Sequence, residues 1–177
     1  MDFLPQDYEV PKSSGLYAKL EDGDNEFIVL GSVVLGWLYW NTNEECIRSK
    51  DKPEGTPDDI GVNKRDGKQN KVQHFWAIPV YNIPLKQVQI LEVTQKRLMG
   101  ALQDLARDKN WGDPILKYQI TIKKSGKNKD TTFQTLPVPL RCDIEEIKKA
   151  YEESEVDMTK YFDKKEKSEA TSADIKM

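Results

Sequence analysis

Residues 72–108, VQHFWAIPVYNIPLKQVQILEVTQKRLMGALQDLARD, carry the pattern that decides the fold. The first eleven residues, 72–82, are β-branched and aromatic with a period of two, which reads as a strand. Trp76, Ile78 and Val80 share one face; Phe75, Ala77 and Tyr81 share the other. Pro79 has no N–H to donate, so the strand has an open side or a bulge there. A turn at 82–84 leads into a second strand, KQVQILEV at 86–93, and so short a connection implies a hairpin. At residue 94 the period changes. Leu98, Ala101, Leu102 and Leu105 make the stripe of an amphipathic helix over 94–108. Thr94 is placed to cap it, with Arg97 where a capping box would put an acid.

Working upstream, FIVLGSVVLGWLYW at 27–40 reads as one long strand, or two joined at Gly31 or Gly36. Apolar residues occupy both parities, so both faces call for cover and parity does not assign the core side. Working downstream, NWGDP at 110–114 breaks the chain. A hairpin follows, from a strand at 115–124, a turn SGKNK at 125–129 and a strand at 130–136. Residues 143–151 predict a short charged helix capped by Asp143. From Glu152 onward apolar periodicity is lacking, and a loosely held tail is expected. The organisation is an irregular arm (1–25), a core (26–142) and an acidic helix with a flexible tail (143–177). The element order, β-β-β-α-β-β, is that of a mainly β protein, a five-stranded OB-fold barrel with a long first loop.

That loop, residues 41–71, holds Pro53, Gly55, Pro57, Gly61 and Gly67 and almost no apolar residues. A polar connection this long inside a domain is either disordered or functional. The net charge of −3 over 177 residues conceals a division. Residues 1–45 sum to −7, residues 46–142 to +8 and residues 143–177 to −4. A polyanionic partner would therefore meet the middle of the chain. In the OB arrangement, the connection from strand one to strand two and that from strand four to strand five flank the binding face. Both hold cations here: seven bases over 41–71, and Lys117, Lys123, Lys124, Lys127 and Lys129 with no acid among them.

Aromatic residues accompany the cations. Single strands are bound by a basic groove plus flat side chains that stack on bases. The candidate stacking residues are Trp37, Tyr39, Trp40, Phe75 and Tyr81. Trp76 belongs to the core beside Ile78 and Val80, whereas Phe75 and Tyr81, on the opposite parity, are expected to be exposed. Trp37 and Trp40 have opposite parity, and one or the other should remain accessible. Trp111, in a turn, reads as a lid over the helix. The candidate phosphate contacts are Arg48, Lys50, Lys64, Arg65, Lys71, Lys123 and Lys124.

Other chemistry is missing. The apolar part of the longest uncharged stretch ends at Trp40, short of the ~20 residues that cross a bilayer. The first residues, MDFLPQDYEV, have no signal-peptide pattern. Cys46 and Cys142 form no disulfide framework, and with His74 they are the only soft ligands, at spacings that make no zinc box. No phosphate loop, nucleophile elbow or HExxH pair is present. A lone strand histidine reads as a packed or surface residue. The chain is read as non-enzymatic, with no metal or cofactor, no membrane association and a cytoplasmic location.

With GWLYW at 36–40, RSK at 48–50, HFWAIPVYN and QVQILEVTQ within 74–95, WGDP at 111–114 and YQITIKK at 118–124, the chain resembles phage single-stranded-DNA-binding proteins of the helix-destabilising type. The resemblance covers residues 25–140. It implies an OB-fold core that coats and protects ssDNA in phage DNA replication, recombination and repair. It also implies an acidic C-terminal region that recruits replication or recombination proteins. The chain departs from the pattern at its end, where DKKEKSEATSADIKM alternates in sign instead of finishing on acids. An acidic tail over 143–177 is expected to compete with DNA for the basic groove. Alternative readings are an RNA-binding OB module and a protein-interaction or virion-structural β-barrel.

Overall fold

The computed structural model describes residues 3–8 and 15–163. Seven strands form one antiparallel sheet: β1 (Gly23–Val29), β2 (Val34–Trp40), β3 (Cys46–Ser49), β4 (Gln73–Asn82), β5 (Gln87–Val93), β6 (Tyr118–Ser125) and β7 (Thr132–Pro139). Two helices accompany it, α1 (Lys96–Ala106) and α2 (Ile144–Glu153).

β1 and β2 are the expected long strand, divided at residues 30–33. Both halves lie antiparallel to β4. β1 pairs with its second half (Phe27↔Asn82, Val29↔Val80) and β2 with its first (Val34↔Ala77, Leu38↔Gln73). Pro79 sits opposite the division. Its carbonyl accepts from Leu30 N at 2.8 Å, so its missing N–H faces the place where the partner strand is interrupted. The other pairings are β1 with β6, β4 with β5, and β6 with β7.

The architecture is mainly β, with two corrections to the expected five-stranded barrel. The sheet has seven strands and is open, since no ladder joins β5 to β7 among the described residues. α1 packs against β7 instead. The helix begins later than expected, at Lys96, and neither Thr94 nor Gln95 caps it with a side-chain hydrogen bond. α2 is capped as expected, Asp143 accepting from Glu145 N.

Both faces of the sheet are covered, as apolar residues on both parities require. On one face Phe27, Val29, Ile78, Val80, Leu91, Val93, Ile120 and Ile122 pack with Leu98, Met99 and Leu105 of α1. On the other, Ile28, Leu30, Leu38, Phe75, Ala77, Val88 and Ile90 pack under Ile147 of α2, Val156 and Tyr161. The cover on this second face corrects the loose-tail expectation for residues 152–163. Val156 and Tyr161 are buried, and a one-turn helix at Met158–Lys160 carries the chain back over the sheet. Residues 164–177 lie outside the described residues.

The 41–71 connection is an ordered arm. β3 pairs with β2, and bridges join Asn41 to Ile60 and Val62 to Gln69. Gly61 N donates to Trp40 O at 2.8 Å and Asn70 N to Gly61 O at 2.9 Å. A Cβ at Gly61 would lie 2.4 Å from the Asn41 carbonyl oxygen, so only glycine permits this closure.

Candidate nucleic-acid interface

Period-two alternation divides the aromatic residues of β2 and β4 between the faces. Gly36, Leu38 and Trp40 point with Phe75, Ala77 and Tyr81 toward the C-terminal segment. Leu35, Trp37 and Tyr39 point the other way with His74 and Trp76, because Trp37 pairs with His74 and Leu35 with Trp76.

The Trp37 face is open at this end of the sheet. Leu35 is 55% exposed, and Trp37 and Tyr39 are half-buried. The Trp37 and His74 rings lie 4.8 Å apart, tilted by 42°. Lys52 Nζ stands 5.1 Å over the Trp37 ring. His74 Nδ1 is 2.8 Å from the Gly36 carbonyl oxygen. A carbonyl only accepts, so Nδ1 carries the proton and the ring is held against Trp37 by the backbone. Tyr39 Oη donates to Asp59 at 2.8 Å, which fastens the arm to β2. Burial, followed by that carboxylate, pushes the Tyr39 pKa up to about 12, so it stays a neutral donor. The result is a tilted aromatic pair with an ammonium 5.1 Å above the Trp37 ring, aromatic surface and cation side by side on an open face.

The Phe75 face is closed, which corrects several expectations. Phe75 is 0% exposed, and Tyr161 and Phe162 lie against it at 5.7 and 6.2 Å between ring centroids. Gly36 has no room for a Cβ between Phe75 and Phe162. Trp40 and Tyr81 pack against the same cluster. Arg48 makes a two-pronged ion pair with Glu92, Nε–Oε2 at 2.8 Å and Nη2–Oε1 at 2.9 Å. The two side chains are 10% and 15% exposed. Tyr161 Oη donates to the same Glu92, and the Arg48 guanidinium lies 5.5 Å from the centre of the Tyr17 ring. Burial and then Glu92 hold the Tyr161 hydroxyl far above the usual tyrosine range, and burial pushes the Cys46 thiol up to about 11. Arg48 and Phe75 therefore serve the core, and Trp40 and Tyr81, half-buried as Trp37 is, pack at its edge. Arg48, expected as a phosphate contact among the bases of the 41–71 connection, is instead neutralised by a partner 44 residues away.

The remaining candidates lie on the surface. Lys50, Lys64, Arg65, Lys71 and Lys123 are exposed. Lys64 is paired with Glu44 at the arm's tip. Lys50 directly follows Ser49, which pairs with Trp37. Lys124 is half-buried, and its Nζ donates to Leu20 O at 3.2 Å. The competing-tail idea needs the same correction. Residues 143–163, which hold eight of the eleven acids of 143–177, belong to the packed structure, and residues 164–177, outside the described residues, sum to +1, so the acids expected to compete are carried by the folded part. Two contributors were missed. His74 shares the parity of Trp76, which the alternation alone shows. Lys52 is brought over Trp37 by the arm, for which no local pattern exists.

No group of three or more His, Cys, Asp or Glu is arranged to hold a metal ion among the described residues. No helix among them is long and apolar enough to cross a membrane. Comparison with protein-family models, curated proteins and solved structures yields no match.

Proposed function

We propose that the protein binds single-stranded DNA without sequence preference and without catalysis, in the manner of the phage helix-destabilising proteins it resembles. The observation that carries this reading is the Trp37–His74 pair under Lys52 on an open sheet face. The chain trace supports an OB-fold reading. The long divided strand, the β4–β5 hairpin, the helix and the β6–β7 hairpin follow in that order, and a partly open Greek-key barrel is within the fold's range. α1 takes the place of a β5–β7 ladder. Lys50 and Lys71 flank the aromatic pair and would neutralise phosphates, with Lys123 at the far end of the sheet. Replication or recombination proteins are the proposed partners of such a complex. The exposed acids of α2, Glu145, Glu146, Glu152 and Glu153, offer one surface for them.

The test is tryptophan fluorescence titrated with oligo-dT at low and high salt, with duplex DNA and oligo-rU alongside. Quenching by oligo-dT, lost with salt and absent with duplex, is expected. About four neutralised phosphates give a log–log salt slope near −3. No quenching and no gel shift would overturn the reading and assign the open face to a protein partner. Preference for oligo-rU would move it to RNA.

A further inference from the structure

A second basic feature lies at the first turn of α1. A cleft of about 510 Å³ is walled by Gln95, Lys96, Arg97, Lys124, Lys129 and Phe133, with Asn128 and Thr131 at its rim. Its cations come from three separate elements: the first turn of α1, the end of β6 and the β6–β7 turn. No carboxylate lines it. Acids nearby are Asp130, in the turn itself, and Asp24, opposite Lys123 in the β1–β6 register. Among the described residues, none of Lys96, Arg97, Lys124 or Lys129 forms an ion pair.

Two further facts make this arrangement unfavourable for the isolated fold. Cations in the first turn oppose the helix dipole, where acids are normally placed. The turn has no acid and no side-chain cap. Four cations lining one cleft whose wall holds no carboxylate repel one another. A phosphate chain in the cleft would relieve both penalties, and the half-buried Phe133 adds a flat surface to its wall.

The cleft also continues from the aromatic pair. Trp76 lies beside Leu35 on one side and Val93 on the other, and Gln95 is two residues beyond Val93. From Trp37 across β4 to β5 is two strand spacings, about 10 Å. That distance is about three nucleotides at the roughly 3.4 Å rise of stacked bases.

We infer that the Lys96–Arg97–Lys124–Lys129 cleft is a phosphodiester-binding station on the same single-strand path, downstream of the Trp37–His74 pair. This rests on the single-strand reading above and extends it to residues of α1. The experiment compares the full-length chain with its K96E/R97E variant, by Trp fluorescence with dT4 and dT20 over a salt series and by thermal melting. Acids at these positions favour the helix dipole, so the melting temperature should hold or rise. Quenching by dT4 should persist, because the aromatic pair is untouched. Affinity for dT20 should fall about 25-fold at 0.1 M salt, and the slope should shrink by about 1.4, the contribution of two phosphate contacts. Unchanged dT20 affinity and slope, with quenching intact, would overturn the station and leave the groove standing. Absence of binding by the unaltered chain would overturn the single-strand reading, and the station with it.

Discussion

The two faces of the β2–β4 ladder carry nearly the same chemistry and meet opposite fates. One presents Trp37, Tyr39, His74 and Trp76; the other presents Trp40, Phe75 and Tyr81 beside Arg48. Each has aromatics and a cation. The second is sealed by Val156, Tyr161 and Phe162 folding back from α2, and its cation is neutralised by Glu92. The first has no such cover at the Leu35 end and keeps its cation, Lys52, over an accessible ring. An aromatic on a strand thus becomes core or contact surface according to what the rest of the chain lays over it.

The largest effect expected from breaking this contrast is on the closed face. Phe75→Ala and Tyr161→Ala should each cost about 3–5 kcal/mol of stability, the cost of emptying a buried aromatic site. Urea unfolding measures it, and ssDNA affinity per folded molecule should not change. A loss under 1 kcal/mol would mean that the C-terminal segment does not seal that face. Arg48→Ala comes next, at about 3 kcal/mol, because it leaves Glu92 half of a buried pair. Loss of DNA affinity without loss of stability would return Arg48 to the phosphate contacts.

Trp37→Ala should do the reverse of Phe75→Ala. Binding of oligo-dT should weaken by about 1–3 kcal/mol, the worth of one base stack, with most of the fluorescence response gone and the unfolding midpoint little moved. Equal quenching in this variant would place the responding tryptophan elsewhere. The smallest effect belongs to Lys52→Ala. It removes a partly exposed cation–π contact, about 0.5–1 kcal/mol, and lowers the salt slope by about 0.7 if the ammonium also meets a phosphate. An unchanged slope would confine Lys52 to its contact with Trp37.

Much of this was legible along the chain. The β4–β5 hairpin, α1 after it, the β6–β7 hairpin and the Asp143 cap of α2 follow from period, turn residues and capping chemistry, all local. Pro79 announced an interruption, and the divided partner strand is that interruption. The order of the 41–71 arm was not legible. It depends on backbone bonds such as Thr42 N to Asp59 O, 2.8 Å long, between residues with no apolar pattern. The Phe75 exposure was misread for a related reason. Residues 154–163 have too few apolar side chains to show a period, yet Val156 and Tyr161 suffice to close the face.

The sequence by itself determined the β4–β5 and β6–β7 hairpins, the two helices, their order and the need to cover the sheet on both sides. Those properties follow from periods of 2 and 3.6 and from the residues that interrupt them. The tertiary structure alone decided which aromatics remain accessible, which cation is neutralised, and that Lys96, Arg97, Lys124 and Lys129 wall one cleft. Those outcomes depend on contacts between residues far apart in the chain, such as Arg48 with Glu92 and Phe75 with Tyr161. No local pattern records such a pairing, because burial is conferred by the partner and not by the residue.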